Sequence, residues 1–247
     1  MSRRTTDRTP DRRPPRSVVR IDPHVHTADS YDSEESVERV LDRARAVDLD
    51  GVVVTDHDAI GASRRAAALA SSYGLLGLPG VEVSTADGHL LALGVDRVPE
   101  PGHPLSETLA TVRSLGGVGV APHPFQRLRH GVRASAIDAC GDRLDGIEAY
   151  NAHTVTGVRN AQAAAFADER GYPQFGGSDA HRAELVGRGY TEVAVDDPTD
   201  PTAVLAAMRA GRTRGGGSRI SVGGYVKKYA RNARLKTLSG LRAVSVI

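Results

Sequence analysis

Short apolar runs that end in, or contain, histidine and carboxylate residues recur along this chain, and they constrain its fold more than any other feature. Residues 18–21 run into Asp22-Pro-His24-Val-His26, and residues 51–55 into Asp56-His57-Asp58. Glu82 lies inside the apolar stretch 75–83, and His89 opens the stretch 89–95. Residues 118–121 close on Pro122-His123-Pro124, and residues 173–177 on Ser178-Asp179-Ala-His181. Side chains this scattered meet only if the fold gathers strand ends, as a parallel barrel gathers all its strand C-termini on one face. The pattern therefore predicts an α/β chain: a β/α barrel with a multinuclear metal site at its mouth.

The 247 residues suffice for one large α/β domain with a full core. No apolar stretch approaches the length that crosses a bilayer, so no membrane association is expected. Residues 1–17 are rich in Arg, Pro and Thr and lack the apolar core of an export signal, which reads as a disordered basic arm. One cysteine, Cys140, excludes an internal disulfide and fits a reducing, cytoplasmic setting. A net charge of +2 gives no argument for nucleic acid, although basic residues concentrate in both tails.

The barrel domain is expected over residues 18–213, with a basic, partly helical extension over 214–247. Ser33 is expected to cap a helix whose buried face repeats as Val37, Val40, Leu41, Ala44 and Val47. Further helices are expected to about Tyr73, from Ser106 to Leu115, from Thr156 to Arg170, and from Pro201 to about Ala210. Residues 75–83 read as one strand, and Arg214-Gly-Gly-Gly-Ser218 as a flexible connection. Strands alternating with helices imply right-handed β/α units and a mainly parallel sheet.

The chemistry can be read segment by segment. His24 and His26 point the same way on an extended segment, so both can bind one metal. Asp22, on the same face, and Asp56 are placed to orient ligands rather than to bind. Asp32 reads equally as a ligand or as a helix-start carboxylate, and His89 as a ligand or a turn residue. Glu82 inside an apolar strand is costly to bury unless paired or metal-bound, and its two oxygens can bridge two ions. His123, rigid between prolines, suits a ligand. Asp179 and His181 repeat the spacing of the first pair, after glycines that permit close backbone approach. Glu148 interrupts its strand as Glu82 does. Asn151 and His153 are candidate substrate contacts. Arg127 and Arg129 are candidates for a phosphate, with the surface as their simpler explanation. His103 and His130 read as surface residues.

Taken together and in order, these segments closely resemble the PHP family, named for polymerase and histidinol phosphatase. The resemblance runs from about Arg20 to His181, with a weaker echo to about Gly211. It implies a distorted (β/α)7 barrel holding two or three Zn, Mn or Fe ions at the C-terminal ends of its strands. By motif, it implies His24, His26, Asp32, His57, Glu82, His89, His123, Asp179 and His181 as ligands. It also implies hydrolysis of a small phosphate monoester, such as a nucleotide, by metal-bound hydroxide, with Asp179 and His181 the catalytic residues; no protein general acid is obvious, and a metal-bound water or His181 is the candidate proton donor. An exonuclease or phosphodiesterase acting on single-stranded nucleic acid is the second expectation, and a non-catalytic metal-binding module the third.

Overall fold

A computed structural model describes residues 16–154 and 156–218. Most of the N-terminal arm and the basic extension beyond Ser218, with its expected helix, lie outside the described residues. Among the described residues no helix is long and apolar enough to cross a membrane.

In chain order the elements are β1 (Ser17–Val25), α1 (Val37–Ala46), β2 (Gly51–Val54), α2 (Gly61–Leu69), β3 (Leu76–Gly77), β4 (Gly80–Thr85) and β5 (Gly88–Leu93). Then follow α3 (Leu105–Ser114), β6 (Val118–Ala121), α4 (Ala134–Cys140), β7 (Gly146–Asn151), α5 (Val158–Arg170), β8 (Gln174–Gly177), β9 (Gly189–Val195), α6 (Pro201–Arg209) and β10 (Thr213–Gly217).

The strands form two five-stranded sheets, ordered β10-β9-β1-β2-β3 and β4-β5-β6-β7-β8. This corrects the expected seven-stranded barrel: no continuous barrel closes among the described residues. The β1–β2, β2–β3, β6–β7 and β7–β8 pairs are parallel, as β/α units require, whereas β4–β5, β5–β6, β1–β9 and β9–β10 are antiparallel. The two sheets touch through two isolated parallel bridges, Val25 with Ala180 and His57 with Glu82. Both bridges consist of candidate ligands or their immediate neighbours, so these two seams between the sheets lie at the site.

Several local expectations are also corrected. The single strand expected over 75–83 breaks at Pro79, which has no N–H to continue a ladder; β3 joins one sheet and β4 the other. Helix α1 is capped by Ser36, which accepts from Arg39 N at 3.3 Å. The Ser33 hydroxyl instead donates to the carbonyls of His26 and His181 at 3.1 and 3.3 Å. Helix α3 starts at Leu105 behind Pro104, so Ser106 lies inside it. Residues 214–217, expected as a flexible connection, extend the sheet as β10. As expected, Pro201 opens α6, where Asp200 caps Thr202 N at 2.8 Å.

The core explains why the site sits where it does. Between the sheets, Ile21, Val53, Leu91, Leu93, Val120, Phe175 and Val193 pack together, joined by Val204, Ala207 and Met208 of α6. Each large fully buried side chain contributes about 2 kcal/mol. Leu205 of α6 lies against Gly94, just past the C-terminal end of β5, whereas His89 lies at that strand's start. Helix α6 therefore plugs one end of the interior, and the polar residues collect at the other. Outer layers pack α1 and α2 on β2, and α3, α4 and α5 on the second sheet.

Candidate metal centre

Each seam delivers ligands in pairs. The Val25–Ala180 bridge is fixed by His26 N donating to Ala180 O at 2.8 Å, which sets His24 and His26 against Asp179 and His181. At the other seam Glu82 N donates to Asp56 O at 3.2 Å and Asp58 N to Glu82 O at 3.0 Å, which sets His57 beside Glu82. Asp58 and Asp179 at these junctions, and His123 just after β6, have positive φ of 50°, 52° and 31°. Such backbone costs about 1–3 kcal/mol per residue and persists where the surroundings over-determine it.

Glu82 is the centre, 1% exposed. Its Oε2 lies 3.3 Å from His24 Nε2, His26 Nε2 and His57 Nδ1 alike. Its Oε1 lies 2.9 Å from His89 Nδ1 and 3.1 Å from His123 Nε2. Each oxygen thus faces its own set of imidazoles. Burial alone pushes the carboxyl up, but the surrounding imidazoles outweigh it and hold Glu82 well below the usual range. Asp32 Oδ2 lies 2.8 Å from His181 Nε2 and 3.7 Å from His57 Nε2. Burial raises Asp32 as well, yet its hydrogen bond to His181 and the neighbouring imidazoles carry it well below its ordinary value.

Several donor atoms are arranged as a cation would complete them. His181 Nδ1 lies 2.9 Å from the carbonyl of Asp179, which can only accept, so that nitrogen carries the proton. The lone pair on Nε2 of a neutral ring then points at the Asp32 carboxylate, a repulsive arrangement unless a proton or a metal ion lies between them. His24 is alike: Nδ1 faces Glu148 Oε1 at 3.0 Å and Nε2 faces Glu82. Burial drives the His24 imidazole down, but Glu82 and Glu148 prevail and raise it to about 9. His26 Nε2, His57 Nδ1 and Asp32 Oδ1 are buried with no hydrogen-bond partner. Imidazole and carboxylate donors without clustered thiolates suit Zn, Mn or Fe. The residues therefore fit divalent ions.

All nine ligand candidates from the sequence converge. Groups with ligand atoms within 4.8 Å of one another are His26-Asp32-His57-His181, His24-His123-Asp179, His24-His26-Glu82, His57-Glu82-His89 and His153-Asp179-His181. His153, expected as a substrate contact, is 2% exposed and joins the cluster. Asn151, also expected to touch substrate, is spent internally. Its amide donates to Glu148 Oε2 at 2.8 Å and Asp179 Oδ2 at 3.3 Å, and its oxygen accepts from His153 N and Arg129 Nη1.

The two orienting aspartates are also corrected in detail. Asp22 accepts from the backbone amides of Ser178 and Gly187 at 3.0 and 2.8 Å, pinning loops rather than an imidazole. Asp56 accepts from Thr27 N and its hydroxyl, both at 2.6 Å, fastening the residue after His26. Burial, only partly offset by these hydrogen bonds, raises both aspartates to about 6.

Ser30 and Tyr31 gave no sequence signal. Ser30 Oγ contacts His26 Nδ1 at 3.1 Å and accepts from His57 N at 3.0 Å. The Tyr31 ring, half exposed, stacks on His57 with centroids 4.9 Å apart. His130, correctly read as exposed, stacks on His89 at 5.1 Å. Arg129 reaches inward to pair with Asp179, and its charge acts with burial to hold His123 down at about 3. Arg127 stays exposed and, with Tyr31, His89, His130 and Arg133, lines a cavity of about 460 Å³. His103 is exposed, as expected.

Comparison with known proteins agrees with this geometry. The PHP-associated family model matches residues 157–213, the segment that carries Asp179 and His181. An uncharacterized protein of Methanocaldococcus jannaschii is 27% identical over 157 residues, covering 58% of this chain and 87% of that one. A two-domain protein of Bacteroides vulgatus, containing a predicted PHP-like metal-dependent phosphoesterase, superposes with a TM-score of 0.66 at 18% identity. That match covers 82% of this chain and 66% of the other, just under two thirds of its length. A lesion-specific endonuclease of Pyrococcus furiosus shares the fold at a TM-score of 0.53 and 14% identity, covering 81% of this chain and 58% of its own. The ordered His and carboxylate motifs from Arg20 to His181, the matched segment and the shared fold together support a PHP-family protein.

Proposed function

We propose that this chain is a metal-dependent phosphoesterase that hydrolyses a small phosphate monoester, such as a nucleotide, with two or three Zn, Mn or Fe ions held by His24, His26, Asp32, His57, Glu82, His89, His123, Asp179 and His181. The observation that carries the reading is Glu82, whose two oxygens face separate groups of imidazoles. A carboxylate so placed could hold an ion at each oxygen. Divalent ions held there bring the pKa of a bound water toward neutrality and offset charge on phosphoryl oxygens. Glu148, by accepting from His24 Nδ1, keeps Nε2 turned to Glu82. Arg129 brings a guanidinium to the rim of the site, within reach of a phosphate.

The cavity beside His89 supports a small substrate, because about 460 Å³ lies within the range of small-molecule sites. A leaving group seated there meets Tyr31, Arg127 and Arg133. The second reading is a nuclease, favoured by the likeness to the Pyrococcus furiosus endonuclease. A cytoplasmic setting goes with the lone, buried cysteine. The test is hydrolysis of p-nitrophenyl phosphate with added manganese, beside an Asp179→Ala variant. Turnover that vanishes in the variant supports the monoesterase. Silence toward this substrate with cleavage of short oligonucleotides, steeply weakened by salt, supports the nuclease.

A further inference from the structure

Asp179 is engaged from two sides. Its Oδ1 faces the cluster, 3.4 Å from His181 Nδ1, 3.6 Å from His26 Nε2, 3.7 Å from His24 Nε2 and 3.8 Å from His153 Nδ1. Its Oδ2 faces away, accepting from Asn151 Nδ2 at 3.3 Å and in contact with the Arg129 guanidinium. Arg129 is anchored further through Nη1, which donates to Asn151 Oδ1 at 3.2 Å and Gln126 Oε1 at 3.4 Å.

Asp179 belongs to two of the candidate ion groups, one with His24 and His123 and one with His153 and His181. Both groups face Asp179 through Oδ1, and two ions held at once are served better by both carboxylate oxygens than by that one. A guanidinium on Oδ2 withdraws one of them, and its fixed charge repels a divalent ion a few ångströms away. The guanidinium also sits where it can leave. Arg129 ends a single turn, Arg127–Arg129, that buries none of its residues, and Leu128 between the two arginines is 99% exposed. The side chains of that turn take no part in the core.

We propose that Arg129 is a competing counter-ion for Asp179: full metal loading requires its guanidinium to leave Oδ2, and the arginine so displaced turns to the bound oxyanion. The proposal rests on the metal-site reading above and adds a coupling between ion occupancy and the position of one arginine. It makes Arg129 a positioning residue as well as a substrate contact. The weakest ion then binds in exchange for a side chain rather than into a ready vacancy.

The test is titration of the full chain, stripped of metal, with manganese alone. Stoichiometry and stepwise affinity are read by calorimetry, and the retained fold by thermal melting. Arg129→Ala and Arg129→Gln are expected to fill the weakest position at least tenfold more tightly than the unchanged protein. Leu128→Ala, on the same turn without reaching Asp179, is expected to titrate as the unchanged protein does. Equal or weaker affinity in both Arg129 variants overturns the proposal, as does equal tightening by Leu128→Ala, which would mean that loosening the turn suffices. No manganese bound by any of the proteins contradicts the metal-site reading itself.

Discussion

Glu148 Oε1 lies 3.0 Å from His24 Nδ1, and both residues are almost fully buried. The carboxylate fixes which imidazole nitrogen carries the proton and which way the ring faces, leaving Nε2 for the cluster. The same carboxylate accepts from His123 N at 2.7 Å and from Asn151, so one side chain sets two candidate ligands. Glu148→Gln is expected to lower metal affinity about 10- to 100-fold while the chain stays folded. Calorimetric titration with manganese beside a far-ultraviolet circular dichroism spectrum checks it.

Gly177 has no room for a side chain. A Cβ there would lie 2.5 Å from Glu148 Oε1 and 2.7 Å from the His24 Cβ. Gly177→Ala is therefore expected to push that pair apart and to reduce metal binding about as much as Glu148→Gln does. Its effect should add little to that of Glu148→Gln in the double variant, because neighbouring changes share one interaction. Full additivity in the titrations would mean that the glycine acts elsewhere.

Divalent ions should stabilise the folded chain, since they bind a site that the unfolded chain lacks. At one hundred times the dissociation constant the gain is about 2.7 kcal/mol. Thermal melting with manganese and with a chelator is expected to show a rise and a fall. In Glu82→Gln, which keeps the size and loses the charge, the manganese-dependent rise should shrink sharply.

Cys140 is 4% exposed, and burial raises its thiol above the ordinary value. A raised pKa leaves less thiolate at pH 8, so the native protein should react slowly with Ellman's reagent and fast in denaturant. Rapid reaction of the native chain would mean that α4, which ends at Cys140, opens readily.

The candidate ligands were legible because a histidine or carboxylate at the end of an apolar run has no cheap alternative use. His123 stands out on that ground, and Glu82 because it lies inside such a run. Sheet pairing was not legible: the hairpin of β4 and β5 and the return of β9 beside β1 are set by tertiary packing, not by alternation within a segment. Pro79 was the signal for the break between β3 and β4, and the apolar residues on both sides hid it. The roles of Asn151 and His153 needed the third dimension. Both look like rim residues by sequence, yet the end of β7 and the turn after it bring them against Asp179. Tyr31 and Ser30 carry chemistry only through what they face, which no spacing reveals.

The most direct test of the Glu82-centred site is anomalous scattering from crystals grown with manganese. The account predicts ions within about 2.0–2.2 Å of both Glu82 oxygens, on opposite sides of the carboxylate, each also ligated by the imidazoles facing that oxygen. Crystals that hold manganese only elsewhere, with Glu82 bound to protonated histidines alone, would contradict it.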